Sequence, residues 1–235
     1  MMLICFWRHR AIFTLISGVA PIPRGLAPSP RTEYYKLMTM GGRKNWVFWP
    51  TKWAAKIFFW PIFSLETSGR ENIPRQRAFV LLPKHQRWED IPLLTLAASR
   101  PVNYIARYDL FENSFSNWFL RSLGGIPLNR QRPIESRRSI QAVIECLSSG
   151  NGIAVFPEGT YYRNRMGPGR VGIVKLMLSR FDLPFIPVGI NYSPLGIRTH
   201  VRIKFGEAVY GNSAGSARWF LSKVMDEIKV LSGLS

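Results

Sequence analysis

The chain predicts an α/β sandwich with a mainly parallel sheet and helices on both sides. Three observations carry that reading. Short apolar runs read as buried strands, amphipathic helical stretches separate them, and Pro or Gly closes most strands. At 235 residues the chain is long enough for one catalytic-size domain and an appendage. Hydrophobic residues make up 46% and aromatic residues 13%, globular values slightly rich in rings.

Taken in order, the N-terminal third is the least regular. Arg8-His9-Arg10 splits an apolar stretch into pieces too short to span a bilayer. The run Ala11 to Ala20 has the outline of a signal peptide, but Pro21 makes a poor cleavage context, so export is not expected. Residues 21–32, rich in Pro, Arg and Ser, read as a linker. Met38 and Met40 stand just ahead of the first convincing element, so residues 1–40 are read as a disordered or spurious extension.

From Asn45 to Leu65 the pattern sharpens. Trp46, Trp49, Trp53, Ile57 and Trp60 recur at three- and four-residue spacing, with Lys52 and Lys56 between them and Pro50 and Pro61 as punctuation. Two prolines and two interior lysines disfavour a transmembrane helix. A Trp-rich amphipathic helix with lysines instead suits a membrane interface, its rings at headgroup depth. Packing as ordinary core is the competing account, and so many tryptophans beside lysines favour the interface.

Beyond Ser68, strands and helices alternate. Strands are predicted at 78–83, 102–106, 125–128, 153–156, 185–190 and 201–205. Helices are predicted at 90–99, 115–123, 135–148, 171–178 and 216–231. The helix at 135–148 puts Ile140, Val143, Ile144 and Leu147 on one face.

The chemistry centres on Lys84-His85-Gln86-Arg87-Trp88-Glu89-Asp90, between the first of these strands and its helix. In a turn that folds back, Asp90 reaches one imidazole nitrogen of His85 and leaves the other facing a cleft. That is a base with an orienting partner, a triad without its serine. Of the three histidines, His9, His85 and His200, only His85 has a carboxylate at a spacing that a turn can use. Ligands in open α/β sheets bind beyond the carboxyl ends of strands. Three further segments are therefore expected near His85: Gly124 to Arg130, Phe156 to Thr160 with an exposed Glu158 carboxylate, and Leu183 to Val188. Arg130, Arg163 and Arg170 are candidates for gripping a phosphate, which arginine does bidentately.

Net charge is the compositional outlier: 32 Lys and Arg against 14 Asp and Glu give +18. Such a field attracts nucleic acid, an anionic membrane surface or phosphate-bearing small molecules. Only Cys5 and Cys146 are present, which argues against a disulfide framework or a metal cluster and fits a reducing compartment.

His85-x4-Asp90, Gly125-Ile126-Pro127-Leu128-Asn129-Arg130, Phe156-Pro157-Glu158-Gly159-Thr160 and Leu183-Pro184-Phe185-Ile186-Pro187-Val188 together resemble the four ordered motifs of the glycerolipid acyltransferases. Lysophosphatidate (1-acylglycerol-3-phosphate) acyltransferases are the nearest in form, over about residues 70–210. The resemblance implies residues 1–66 as a basic segment with N-terminal amphipathic membrane-docking helices and 67–235 as the acyltransferase domain. It implies transfer of an acyl chain from acyl-CoA or acyl-carrier protein to the free hydroxyl of 1-acylglycerol-3-phosphate, giving phosphatidic acid. His85 is then the general base and Asp90 its partner; Arg130 lies near the acceptor phosphate, and Glu158, Gly159 and Thr160 help bind the acceptor. No metal or further cofactor is implied, and the enzyme is expected on the cytoplasmic face of a membrane.

Two departures stand out. The family commonly continues the third motif with Arg-Ser, whereas this chain has Tyr161-Tyr162-Arg163, so Arg163 substitutes or the acceptor headgroup differs. Gln86-Arg87 stands where a small residue is common, which is expected to narrow the site. The alternative acceptors are another lysophospholipid or glycerol-3-phosphate.

Two more distant readings are weaker. A lipid hydrolase is suggested by Gly211-Asn212-Ser213-Ala214-Gly215, but no histidine follows Ser213, as that fold's triad order requires, and a helix N-cap loop accounts for it better. A nucleic-acid-binding protein is suggested by the charge, yet the basic residues form no recognisable motif, and none is expected to bind nucleic acid.

Overall fold

The computed structural model describes residues 42–129, 133–211 and 216–234, with the backbone alone over 133–136. A seven-stranded sheet runs through the domain, and helices cover both faces. In chain order the elements are helix α1 (Asn45–Phe59), strands β1 (Phe63–Ser68) and β2 (Phe79–Pro83), helix α2 (Asp90–Ala97), β3 (Val102–Arg107), α3 (Ser114–Ser122), β4 (Gly125–Leu128), α4 (Pro133–Ser148), β5 (Gly152–Ala154), α5 (Val171–Leu178), β6 (Phe185–Leu195), β7 (Arg198–Phe205) and α6 (Ala217–Leu231).

Strand order is β1-β7-β6-β2-β5-β3-β4. All neighbours are parallel except the β6–β7 hairpin, so β1 and β7 run against the other five. The predicted mainly parallel sheet is therefore present, and the antiparallel pair comes from a two-residue loop that allows no crossover. Strand β2 is central and wholly buried, as its unbroken apolar run requires.

Alternation along β2 divides the core in two. Phe79 and Leu81 face one side, with Leu93, Leu94 and Ala97 of α2 and Phe59 of α1. Val80 and Leu82 face the other, with Val143 and Leu147 of α4, Val174 and Met177 of α5, and Phe220, Val224 and Ile228 of α6. Pro83 lies past the last β2–β5 pair, Leu81 with Ala154, so its missing N–H leaves no ladder partner empty on that side.

The tryptophan stretch departs from expectation in its length. The helix passes through Pro50 but ends at Phe59, and Phe63 to Ser68 join the sheet beside β7. A domain boundary at residue 66 would thus cut through β1. Burial explains the switch, because Phe63 enters the core between Phe59 and Tyr192 rings. On α1 only Val47, Phe48 and Phe59 are buried. Trp46, Trp49, Trp53, Ile57 and Phe58 are exposed, so the stripe is not ordinary core. No helix among the described residues is long and apolar enough to cross a membrane.

Candidate active site

The site grows out of the carboxyl ends of β2 and β5. After Pro83 the chain leaves β2, stays buried through Gln86, and turns back to start α2 at Asp90. Asp90 is fully buried and collects four donors. Its Oδ2 meets Nδ1 of His85 at 2.9 Å and accepts the backbone N–H groups of Gln86 at 2.6 Å and Arg87 at 2.8 Å. Its Oδ1 accepts the Tyr192 hydroxyl at 2.6 Å. A carboxylate only accepts, so Nδ1 carries a proton, and in the neutral ring Nε2 then keeps its lone pair. Phe156 stacks on the imidazole at 3.9 Å between centroids, and Tyr161 meets it edge-on at 4.3 Å. The histidine side chain is 11% exposed, so the imidazole has a narrow opening to solvent.

Beneath it lies an ion pair invisible to local sequence patterns. Lys84 is fully buried, and its ammonium donates to both oxygens of Glu158, at 2.9 and 2.8 Å, and to the Tyr162 carbonyl at 2.7 Å. Glu158 also accepts the backbone N–H groups of His85 at 3.0 Å and Gly167 at 2.6 Å. Its carboxylate, expected to be exposed to an acceptor, is instead 1% exposed and fully engaged. The residue ties the β5 loop to the histidine turn. Burial pushes the Lys84 ammonium below the usual lysine range, while Glu158 holds it up against that effect.

The loop from Phe156 to Arg170 wraps this pair. Gly159 has φ of 68°, a left-handed backbone that a side chain strains. A Cβ on Gly167 would meet the Tyr162 ring at 2.2 Å. Tyr162 donates its N–H to the His85 carbonyl, and Arg170 reaches the Pro157 and Glu158 carbonyls. Thr160, Arg163 and Arg170 are exposed on this loop. Arg130 lies outside the described residues, as do Asn212 to Gly215 of the hydrolase-like run; Ser216 caps α6 by accepting the Trp219 N–H at 3.2 Å.

Other expectations need correction. Gln86 does not narrow the cleft: its amide turns inward, donating to the Ile190 carbonyl at 2.7 Å and accepting the Asn164 N–H at 2.8 Å. Leu183 and Pro184 lead into β6, the strand expected at 185–190, which runs alongside β2 in register from Phe185; its Val188 carbonyl accepts the Lys84 N–H at 2.9 Å, one residue from His85. What β6 brings to the site is Tyr192, further along, and no motif signalled it. His200 does find a carboxylate, Glu66 at 2.9 Å, because β7 pairs with β1. That pair sits on the sheet surface, with Glu66 half exposed. Cys146 is a free thiol that burial pushes up to about 12, so it is not a reactive thiolate.

Tyr192 adds a pH prediction. Its hydroxyl is held above the usual tyrosine range, first by burial and then by Asp90. An unfolded tyrosine ionises near about pH 10, where the folded one still keeps its proton. Stability from this group is thus fully present below about pH 10 and is lost as pH rises beyond it. Tyr104, raised by burial, acts in the same direction. Tyr192→Phe is expected to flatten the alkaline loss of stability, measured as urea midpoints between about pH 8 and about pH 11.

Fold and site together define an α/β domain built around a buried histidine–carboxylate pair. The chain belongs to the Acyltransferase family, which it matches over residues 64–191. It is 25% identical over 213 residues to the chloroplastic 1-acyl-sn-glycerol-3-phosphate acyltransferase of Brassica napus, covering 86% of this chain and 61% of that protein. It is 32% identical over 93 residues to the 1-acyl-sn-glycerol-3-phosphate acyltransferase of Bacillus subtilis, covering 39% of this chain and 46% of that protein. The chain thus spans about half the length of such curated relatives. Its fold is that of the 1-acyl-sn-glycerophosphate (LPA) acyltransferase PlsC from Thermotoga maritima, with a TM-score of 0.62 at 24% identity over 86% of this chain and 80% of the other.

Proposed function

We propose that this domain moves a fatty acyl chain from acyl-CoA or acyl-carrier protein to the free hydroxyl of 1-acylglycerol-3-phosphate, giving phosphatidic acid. The observation that carries the reading is the His85 imidazole, fixed by Asp90 at 2.9 Å and held between two rings, with no hydrogen-bond partner for Nε2 among the described residues. The names of the curated relatives support the acceptor. A lipid hydroxyl is far too weak an acid to attack a thioester unaided. His85 Nε2 takes its proton as the oxygen attacks the thioester carbonyl, and Asp90 stabilises the imidazolium. As the tetrahedral intermediate collapses, His85 returns the proton to the departing thiolate. No nucleophilic side chain, metal or further cofactor enters these steps.

The developing oxyanion draws its donors from outside the turn. The amides of His85, Gln86 and Arg87 are already engaged by Glu158 and Asp90. Arg163 and Arg170 on the exposed rim, with Arg130, form the phosphate seat in this reading.

The enzyme works docked on the cytoplasmic face of an anionic membrane through α1. Six large apolar side chains between Trp46 and Trp60 are exposed. Inserting half of each contributes about 4–9 kcal/mol at about 1.5–3 kcal/mol per full side chain. That is near the marginal hold of a single acyl anchor, so a second, electrostatic signal is needed. Lys44, Lys52 and Lys56 supply it, their ammonium groups lying over Trp118, Trp49 and Trp53 at 5.3–5.8 Å. Deleting residues 1–60 is expected to abolish liposome flotation; unchanged flotation refutes this part.

Tyr161 supports a second acceptor reading. It occupies the position where the family commonly has arginine, and it faces the base. Labelled acyl-CoA with a panel of lysolipids and glycerol-3-phosphate tests both readings. Lysophosphatidate is expected to be the preferred acceptor. Preference for a headgroup without a phosphate monoester removes the acceptor assignment but leaves acyl transfer intact, and no acylated product with any acceptor removes both.

A further inference from the structure

We infer that the β6–β7 hairpin turn is a second membrane anchor, so that the catalytic end of the sheet faces the lipid. The inference rests on the docking reading of α1 and extends it to a part of the chain about 140 residues away, at the tip of a two-residue turn.

The turn, Gly196-Ile197, joins Leu195 to its partner Arg198. Gly196 has φ of 57°, the backbone that such tight turns demand. Ile197 is fully exposed and Leu195 half exposed, so neither contributes to the core. Hairpin tips favour Asn, Asp and Gly, and an isoleucine there has no folding role. An apolar pair at a protruding tip is a liability in water and an asset in lipid.

Topology puts this tip on the right side. Strand β6 is parallel to β2, so its carboxyl end lies at the same end of the sheet as His85. Strand β1 runs the other way, so Phe63 and the end of α1 lie there too. Arg198 fastens the two together: its guanidinium donates to the Trp60 and Phe63 carbonyls, each at 2.5 Å, and lies over the Trp60 ring at 5.9 Å. At the other end of α1, Trp46 meets Trp118 of α3, which meets the exposed Phe115. Exposed aromatic and aliphatic groups thus continue from α3 along α1 to the hairpin tip, with basic groups set among them. That alternation complements an anionic interface, where rings sit at headgroup depth and lysines reach outward. Trp88, on the histidine turn itself, is exposed and touches Phe59 of α1 at 6.1 Å. The cleft therefore opens beside the docked surface, where an acceptor lipid need not leave the bilayer.

The test uses full-length protein and vesicles of equal parts phosphatidylcholine and phosphatidic acid. Leu195→Asp combined with Ile197→Asp is expected to weaken vesicle binding about tenfold or more. Melting temperature and acyl transfer to acceptor in detergent micelles are expected to stay unchanged, which separates lost docking from misfolding. In parallel, Trp49→Glu combined with Trp53→Glu probes the helix. If the helix pair loses binding while the hairpin pair binds as wild type, the hairpin proposal falls and the helix reading stands. If neither pair changes binding, both fall. If the hairpin pair turns a dimer into a monomer with flotation intact, the tip is a contact between copies and the proposal is overturned.

Discussion

His85→Ala lowers acyl transfer about 10²–10⁴-fold, the contribution of a positioned base, and leaves vesicle binding and melting temperature near those of the wild type. The separation is expected because the proposed base and the proposed docking helix use different atoms. The imidazole stacks on Phe156 and meets Tyr161 edge-on, and neither ring belongs to α1. Truncation to alanine also leaves no orphaned charge deep in the core. The Asp90 carboxylate keeps the amides of Gln86 and Arg87 and the Tyr192 hydroxyl. Single-turnover kinetics with labelled acyl-CoA measure the chemical step apart from binding. A rate within about threefold of the wild type removes the general-base assignment. Asp90→Asn is expected to lose both activity and stability, because the carboxylate holds the turn as well as the ring. That difference between the two variants distinguishes the base from its support.

Removing the Lys84 ammonium has the largest expected effect on stability. Lys84→Met strands a carboxylate in a site that is 1% exposed, and breaking one side of a buried pair costs about 3–5 kcal/mol. For a chain of this size that is a fall of about 6–20 °C in melting temperature. Glu158→Gln strands the ammonium instead, but keeps a side-chain oxygen for one of the backbone N–H groups of His85 and Gly167, so its loss is expected to be the smaller. The double variant Lys84→Met, Glu158→Gln is expected to recover part of the sum, since neither charge is then left alone. Calorimetry of the four proteins gives the coupling directly. Additive losses would mean that the two groups do not sense each other, against the 2.8 Å contact. Activity is expected to fall with stability in all three, since this pair carries the backbone on both sides of the imidazole.

Much of the architecture was legible in local patterns. The strand at 78–83, the helix starting at Asp90 and the closing helix after Ser216 lie where periodicity and end signals put them, within a residue or two. The histidine turn was legible as well, since four residues separate the imidazole from the carboxylate and a turn has few ways to bring them together. The exposed tryptophan face of α1 follows from its three- and four-residue spacing. The end of that helix was missed. Phe63 and Leu65 continue an apolar run that fits either period, and only the partner strand β7 selects the extended form.

Sequence by itself determined the elements, the histidine–aspartate turn and the family, because each is written in neighbours along the chain or in ordered motifs. Tertiary structure alone decided who stands behind that turn. Lys84 meets Glu158 across 74 residues, Tyr192 reaches Asp90 across 102, and Arg198 joins the hairpin to Trp60 across 138. Those meetings depend on strand order. A buried charge says only that it needs a partner, and the sheet, by setting which strand ends lie side by side, says which one it gets.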